Sequence, residues 1–357
     1  MLPKYRPAGA RISRLAGGAS GSLVLSVTLK GQTPKQRFVP GVVKISNLEW
    51  VQEEEEKFRT YAQWWLPHNR RTELFGKGVS GHLGAIGYSF AFGGGDLLGG
   101  FDEILKTGDT DGAKAIISSI FNDDTILFYQ THTEPSSDFI CDRYSKRYFQ
   151  GSRFDETKSL FNTLAARLMA ANVGPTEISV AGMVFPEPFR FLFENFRVAY
   201  SQTFVHGDLH AKNVLINNRG EVAFIDFEDT GIGHVFEDFA ALETSIRLAM
   251  PMVTPPGKTP TGSSFLKREL TLVGHTTSKR TPDGRSQLIL KLRDLARSRF
   301  DKVEPWEYLY SIAALHLRLL RIRGLTDIQL KLLIACVLAT CRKLEECLAD
   351  IEASKRH

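Results

Sequence analysis

The segment 204–231, FVHGDLHAKNVLINNRGEVAFIDFEDTG, decides how the rest of the chain is read. Asp208 and Asn213 stand five residues apart on a loop that leaves an apolar stretch, and Asp226 closes the strand pattern VAFID thirteen residues after Asn213. Between them, the runs 213–216 and 221–225 flank the turn Asn217-Asn218-Arg219-Gly220. That pattern predicts a hairpin that folds the second carboxylate back beside the first loop. Phosphoryl transfer needs such a set. One carboxylate orients an attacking hydroxyl and takes its proton, while a second carboxylate and an amide oxygen hold magnesium against the phosphates. Oxygen ligands of this kind suit magnesium better than zinc.

The ordered run His-Gly-Asp-Leu-His-x-x-Asn (206–213), followed by Ile-Asp-Phe-x-Asp (225–229), resembles the signature of the aminoglycoside phosphotransferase and choline kinase superfamily, relatives of the protein kinases. The resemblance implies an α+β, bilobal protein-kinase-like fold, with a small antiparallel-sheet N-terminal lobe and a larger, mainly helical C-terminal lobe. By position it implies Asp208 as catalytic base, with Asn213 and Asp226 as magnesium ligands. Asp226 then matches the aspartate of the kinase Asp-Phe-Gly motif. His210 takes the place where protein kinases keep a lysine, next to the transferred phosphate, and His206 braces the loop. Asp238, in VFEDFAAL, resembles the family's buried aspartate that holds the catalytic loop by hydrogen bonds. Asp229 is either a second metal ligand or a solvated turn residue.

On the nucleotide side, Ala16-Gly17-Gly18-Ala19-Ser20-Gly21-Ser22 precedes a strand pattern. Glycines there let backbone N–H groups approach phosphates. The stretch is no Walker A loop, because no Gly-Lys-Ser or Gly-Lys-Thr closes it. In the kinase frame Gly-x-Gly-x-x-Gly it offers Ala16, Gly18 and Gly21, so the first glycine is missing; Gly18, Ser20 and Gly21 are the candidate phosphate contacts. Lys44, in GVVKIS, is the candidate lysine for the α- and β-phosphates of ATP. A glutamate of the following helix should pair with it. Glu55, four residues after Val51 and three before Phe58, lies on the apolar stripe and is the expected partner, with Glu54 as the alternative. The backbone of 90–94 is expected to form the hinge that reads adenine.

Working outward, 23–29 and 38–46 read as strands joined by GQTPKQ, 50–66 as a helix opened by four glutamates, and 83–88 and 89–92 as strands. Gly93-Gly94-Gly95 then breaks the pattern. An N-terminal nucleotide-binding lobe over 1–95 is therefore expected, with the helical C-terminal lobe over 96–357. Helices are expected near 112–121, 155–172, 187–201, 236–250, 285–300, 306–323 and 327–353, the last opened by a Thr326/Gln329 capping box. Residues 251–285 carry five of the fifteen prolines and read as a long excursion or substrate insert. Six cations stand there against Glu269 and Asp283. If it walls the acceptor pocket, it repels polycations and favours a neutral or anionic hydroxyl compound.

The bulk composition excludes other classes. Charged residues at 24% and a net charge of +5 are ordinary for a soluble protein, and no clustered basic stripe or motif points to nucleic acid. Three of the four cysteines (Cys141, Cys336, Cys341, Cys347) share one helical stretch without a Cys-x-x-Cys pair. Free thiols in a reducing compartment fit better than zinc or disulfides. MLPKYRPAGARISRL is no secretory signal, and the apolar run 332–339 is too short to cross a bilayer. The expectation is a cytoplasmic kinase of a small hydroxylated molecule. Its rivals are a regulatory pseudokinase module with a protein partner, as in bacterial defence or signalling, and a protein kinase. The absence of an Ala-Pro-Glu segment after Asp226 speaks against the last.

Overall fold

The computed structural model describes residues 9–14, 22–30, 39–89, 97–121, 129, 133–251, 260–274 and 283–354. Strands β1 (Gly9–Arg14), β2 (Leu23–Lys30), β3 (Val39–Asn47), β4 (Glu73–Ser80) and β5 (Leu83–Ser89) build one antiparallel sheet in the order β1-β2-β3-β5-β4. Lys44 lies in the central strand, opposite Val24 on β2 and Ile86 on β5. Helix α1 (Leu48–Lys57) follows β3 without a break. Its N-cap is Asn47, whose side chain accepts from Glu49 N at 2.8 Å. The helix widens into a π turn, Phe58–Ala62, and ends at Trp65. Val51, Glu54, Phe58 and Ala62 are its buried positions. Gly84 of β5 permits close docking there, since a Cβ on it would stand 2.8 Å from Val51 Cβ.

The remainder is mainly helical, with three small sheets. These use β6 (Leu97–Gly100), β7 (Glu134–Phe139), β8 (Asn172–Val173), β9 (Glu177–Val180), β10 (Met183–Pro186), β11 (Ala199–Val205), β12 (Val214–Asn217), β13 (Val222–Phe224) and β14 (Gly231–His234), ordered β10-β9-β8, β14-β11-β7 and β13-β12-β6. The helices are α2 (Phe101–Thr107), α3 (Thr110–Ile120), α4 (Ile140–Tyr148), α5 (Arg153–Met169), α6 (Glu237–Ala249), α7 (Gly262–Gly274), α8 (Gly284–Arg299), α9 (Pro305–Leu319) and α10 (Asp327–Ser354). One core of buried Leu, Ile, Phe and Tyr runs through them. A five-stranded antiparallel sheet with one helix, followed by a helical body that carries the hairpin β12–β13, is the bilobal protein-kinase-like arrangement.

The capping box forms as expected: Thr326 N donates to Gln329 Oε1 at 3.0 Å and Gln329 N to Thr326 Oγ1 at 3.2 Å. Two expectations are corrected. Residues 187–201 are not one helix. Phe189, Leu192 and Phe196 keep a helical spacing through a short turn, but from Ala199 the chain is strand β11, held by β14 on one edge and β7 on the other. Tyr200, Thr203, Phe204 and Val205 favour a strand, and pairing on both edges secures it. Nor is 251–285 only an excursion. Helix α7 buries Phe265, Leu266, Glu269 and Leu272 and packs on α10. That apolar spacing outweighs the Ser, Thr and Pro around it. Of the charges described in this segment, Lys267 is exposed and the others are held within the fold. Arg268 pairs with Asp283, Glu269 with Arg247, and Arg285 is buried.

Candidate active site

The hairpin β12–β13 positions the loop residues. Its register runs from Val214↔Phe224 to Ile216↔Val222, and Ile225 N donates to Asn213 O at 3.1 Å. Asn213 and Asp226 therefore emerge side by side where the hairpin opens. Asn213 is buried, and its amide nitrogen donates to Asp208 O at 2.9 Å, which leaves the amide oxygen as the atom able to meet a cation. Asp226 has φ +67°, a left-handed conformation that Asp tolerates better than most residues.

The segment ahead of the hairpin is held from below. Asp238 on α6 is fully buried and accepts from the backbone N–H of His206 at 2.7 Å and of Gly207 at 2.8 Å. Burial pushes its pKa up to about 7, against the pull of the His206 N–H. His206 is buried too. Its Nε2 meets Ile225 O at 3.0 Å, and burial lowers its pKa to about 4 despite Asp208 and Asp226, so the ring is neutral at pH 7. Gly207 has φ +85°, and a Cβ there would run into the Asp229 carbonyl. Only glycine lets the two loops touch.

Arg147 of α4 ties these pieces together. It donates to Gly207 O at 2.7 Å and pairs with Asp229 at 3.3 Å and with buried Glu237 at 2.6 Å. Glu237 also takes Arg143 at 3.1 Å and the Tyr148 hydroxyl at 3.0 Å. Asp208 projects beyond this frame, with its side chain 28% exposed. Within 4 Å its carboxylate meets His210 Nε2 at 3.5 Å and Arg318 Nη1, from α9, at 3.9 Å.

Across from the loop, Lys44 Nζ lies 2.9 Å from Glu54, 3.0 Å from Asp226 and 2.8 Å from Glu228. Burial works against the ammonium charge, but Glu54 and then Asp226 outweigh it, so its pKa is raised. The glutamate that reaches Lys44 is Glu54, not Glu55. Glu54 is buried and also accepts from the Tyr88 hydroxyl at 2.7 Å. Glu55 faces the other side, held by Arg59 at 2.9 Å and by Lys77 of β4 at 3.0 Å. Both residues flank the Val51/Phe58 stripe, and the docking of α1 on β5 turns Glu54 inward. The sequence reading also missed Glu228, Arg147, Glu237 and Arg318. Glu228 occupies an unspecified place in Ile-Asp-Phe-x-Asp, the Arg143/Arg147 spacing of four is the one local signal for Arg147, and Arg318 has none. Gly18, Ser20, Gly21 and the hinge 90–94 lie outside the described residues.

Among the described residues, Glu54, Asp226 and Glu228 are grouped closely enough to share a metal ion, their ligand oxygens lying within 4.8 Å of one another. No helix among them is long and apolar enough to cross a membrane.

Comparison with known proteins gives three kinds of result. The family described as Ternary complex associated domain 9 matches residues 145–286. No curated protein sequence matches the chain. Among solved structures, a thermostable mutant of an aminoglycoside phosphotransferase in its apo form is similar at 13% identity and a TM-score of 0.47, covering 92% of this chain and 94% of that one. An amicoumacin kinase in complex with AMP-PNP and Ca2+ is similar at 10% identity and a TM-score of 0.40, covering 94% and 88%. A choline/ethanolamine kinase family protein from Mesorhizobium loti is similar at 13% identity and a TM-score of 0.42, covering 96% and 90%.

Proposed function

We propose that this chain is a cytoplasmic phosphotransferase that moves the γ-phosphoryl group of ATP to a hydroxyl of a small neutral or anionic molecule. The observation that carries the reading is the convergence on Lys44. Glu54 from the sheet-bound helix and Asp226, 182 residues away along the chain, meet one ammonium beside the loop that bears Asp208. In this reading residues 1–95 carry the nucleotide and 96–357 the catalytic loop and the acceptor.

Each residue then has a task. Asp208 orients the acceptor hydroxyl and takes its proton as the new O–P bond forms. The bond from the γ-phosphorus to the bridging oxygen breaks, and ADP leaves with that electron pair. Lys44 holds the α- and β-phosphates, and Glu54 and Tyr88 aim Lys44. Gly18, Ser20 and Gly21 lend backbone N–H groups, and His210 stands near the transferred phosphate. The oxygen donors of Asn213 and Asp226 fit a hard divalent cation. Magnesium held there would neutralise charge on the phosphates.

The test is transfer of labelled γ-phosphate to a metabolite extract, with nucleotide binding measured alongside. Asp208→Asn should keep ATP–magnesium binding and lower turnover by about two to four orders of magnitude. Near wild-type turnover would retire Asp208 as the base. A second reading, a kinase-like regulatory module with a protein partner, draws on two observations. One is the family description Ternary complex associated domain 9. The other is Glu228, which contacts Lys44 where a phosphate would otherwise go. ATP binding without transfer to any small molecule would favour it.

A further inference from the structure

Around Asp208 most cations are engaged by the protein itself. Arg147 serves Gly207 O, Asp229 and Glu237, and Arg143 serves Glu237. Lys44 serves three carboxylates on the nucleotide side. Arg318 differs. Its guanidinium lies over the Tyr148 ring, 4.6 Å from the centroid, and Tyr148 is fixed by hydrogen bonds to Arg147 and Glu237. Its one ionic neighbour among the described residues is Asp208, at 3.9 Å, beyond hydrogen-bond distance. A pair that long, on a side chain 36% exposed, is weak. Its place over the ring restrains the guanidinium, so its N–H donors stay on offer to an oxyanion at little ordering cost. The other carboxylate on this side, Asp229, is matched by Arg147 and does not cancel Arg318.

We propose that the acceptor carries an oxyanion, a carboxylate or a phosphate, and that Arg318 holds it so that the acceptor's hydroxyl meets Asp208. The inference rests on the phosphotransfer reading and narrows its substrate class. It places the selection for negative charge on α9, not on 251–285. A polycationic acceptor would be repelled from the same spot.

The test separates a metabolite extract by anion exchange and offers each pool to the protein with γ-labelled ATP and magnesium. The label should appear in the anion-retained pool. Pretreating that pool with alkaline phosphatase, then removing the enzyme, distinguishes the sources: loss of acceptor means a phosphate, survival a carboxylate. Arg318→Gln should raise the half-saturating amount of the retained pool by about tenfold or more, a larger change than any loss of turnover at saturation, and Arg318→Lys should restore part of it. Label found only in the unretained pool would overturn the inference and leave phosphotransfer standing. Equal loss of turnover on both pools, with half-saturation unchanged, would mean that Arg318 acts only through Asp208. No transfer from wild type to any pool would overturn the phosphotransfer reading itself, and the inference with it.

Discussion

Two clusters of charge, one in the cleft and one inside the helical body, are built by opposite rules. In the body, Glu243 takes Arg247 at 2.7 Å, Arg293 at 2.8 Å and the Tyr308 hydroxyl at 2.8 Å, while Glu269 takes the other side of Arg247. Two carboxylates face two guanidiniums, and Glu243, Glu269 and Arg247 are sealed from solvent. Burial alone would raise the pKa of Glu243, but Arg293 and Arg247 prevail and bring it down to about 2. In the cleft, one ammonium faces three carboxylates, and the side chains of Asp226 and Glu228 are 41% and 35% exposed. A matched, dry cluster serves the fold. An unmatched, open one has negative charge left over, which a divalent cation can complete.

The comparison breaks first on stability. Glu243→Leu leaves Arg247 and Arg293 with too little counter-charge and should cost about 3–5 kcal/mol in urea unfolding. Asp226→Asn, in the open cluster, should stay within about 1 kcal/mol of wild type. Equal losses would show that the cleft cluster is structural as well. Next comes the Lys44 pair: Lys44→Ala and Glu54→Ala should each slow transfer by about tenfold to a hundredfold through misplaced phosphates. The double variant should be no slower than Lys44→Ala, because the two act as one unit. Glu55→Ala should be silent, and a defect there equal to that of Glu54→Ala would return the pairing to Glu55.

The pH dependence of stability sharpens the contrast. His316 is buried with both ring nitrogens unpaired, and burial followed by Arg247 lowers its pKa to about 3; His206 is lowered to about 4. The unfolded imidazoles take protons near pH 6.5 while the folded ones do not, so both groups lose stability as pH falls from about 6.5 toward 4. Asp238, raised to about 7, opposes them, since its folded form takes up a proton in that window and its unfolded form does not. His316→Leu should therefore remove up to about 1.4 kcal/mol of stability loss per pH unit between 6.5 and 4. A slope identical to wild type would mean that His316 is not neutral in the fold. The smallest effect is expected at Glu228. Glu228→Gln should tighten metal-free ATP binding by about threefold, under 1 kcal/mol, by removing a competitor for Lys44. Weaker binding in the presence of a chelator would overturn that role.

The layout of the segment 204–231 was legible because its loop, strands and turn are marked by residue types at short spacings. Asp208, Asn213 and Asp226 sit on one loop and one hairpin whose turn is readable. Lys44 was legible from its place between a strand pattern and an acidic helix. What stayed hidden depended on contacts between distant segments. Glu54 and Glu55 are adjacent on one apolar stripe, and only the sheet packed against α1 separates them. Strand β11 follows directly on a helically spaced run, Phe189, Leu192 and Phe196, and its partners come from elements about thirty to sixty residues away. Arg318 lies 110 residues after Asp208 in sequence, with nothing local to mark it.

The ammonium of Lys44 also makes a built-in chemical footprint of closure. Its carboxylate partners Asp226 and Glu228 lie 182 and 184 residues away, so those contacts exist only when the sheet and the helical body are docked. A connection this distant in sequence forms late, after local helices and hairpins. In the docked protein Lys44 is only 8% exposed and engaged on three sides. An amine-acylating reagent applied during refolding should therefore tag exposed Lys77 early and late alike, but tag Lys44 only before the two parts meet. The mass of one tryptic peptide becomes a clock for lobe assembly.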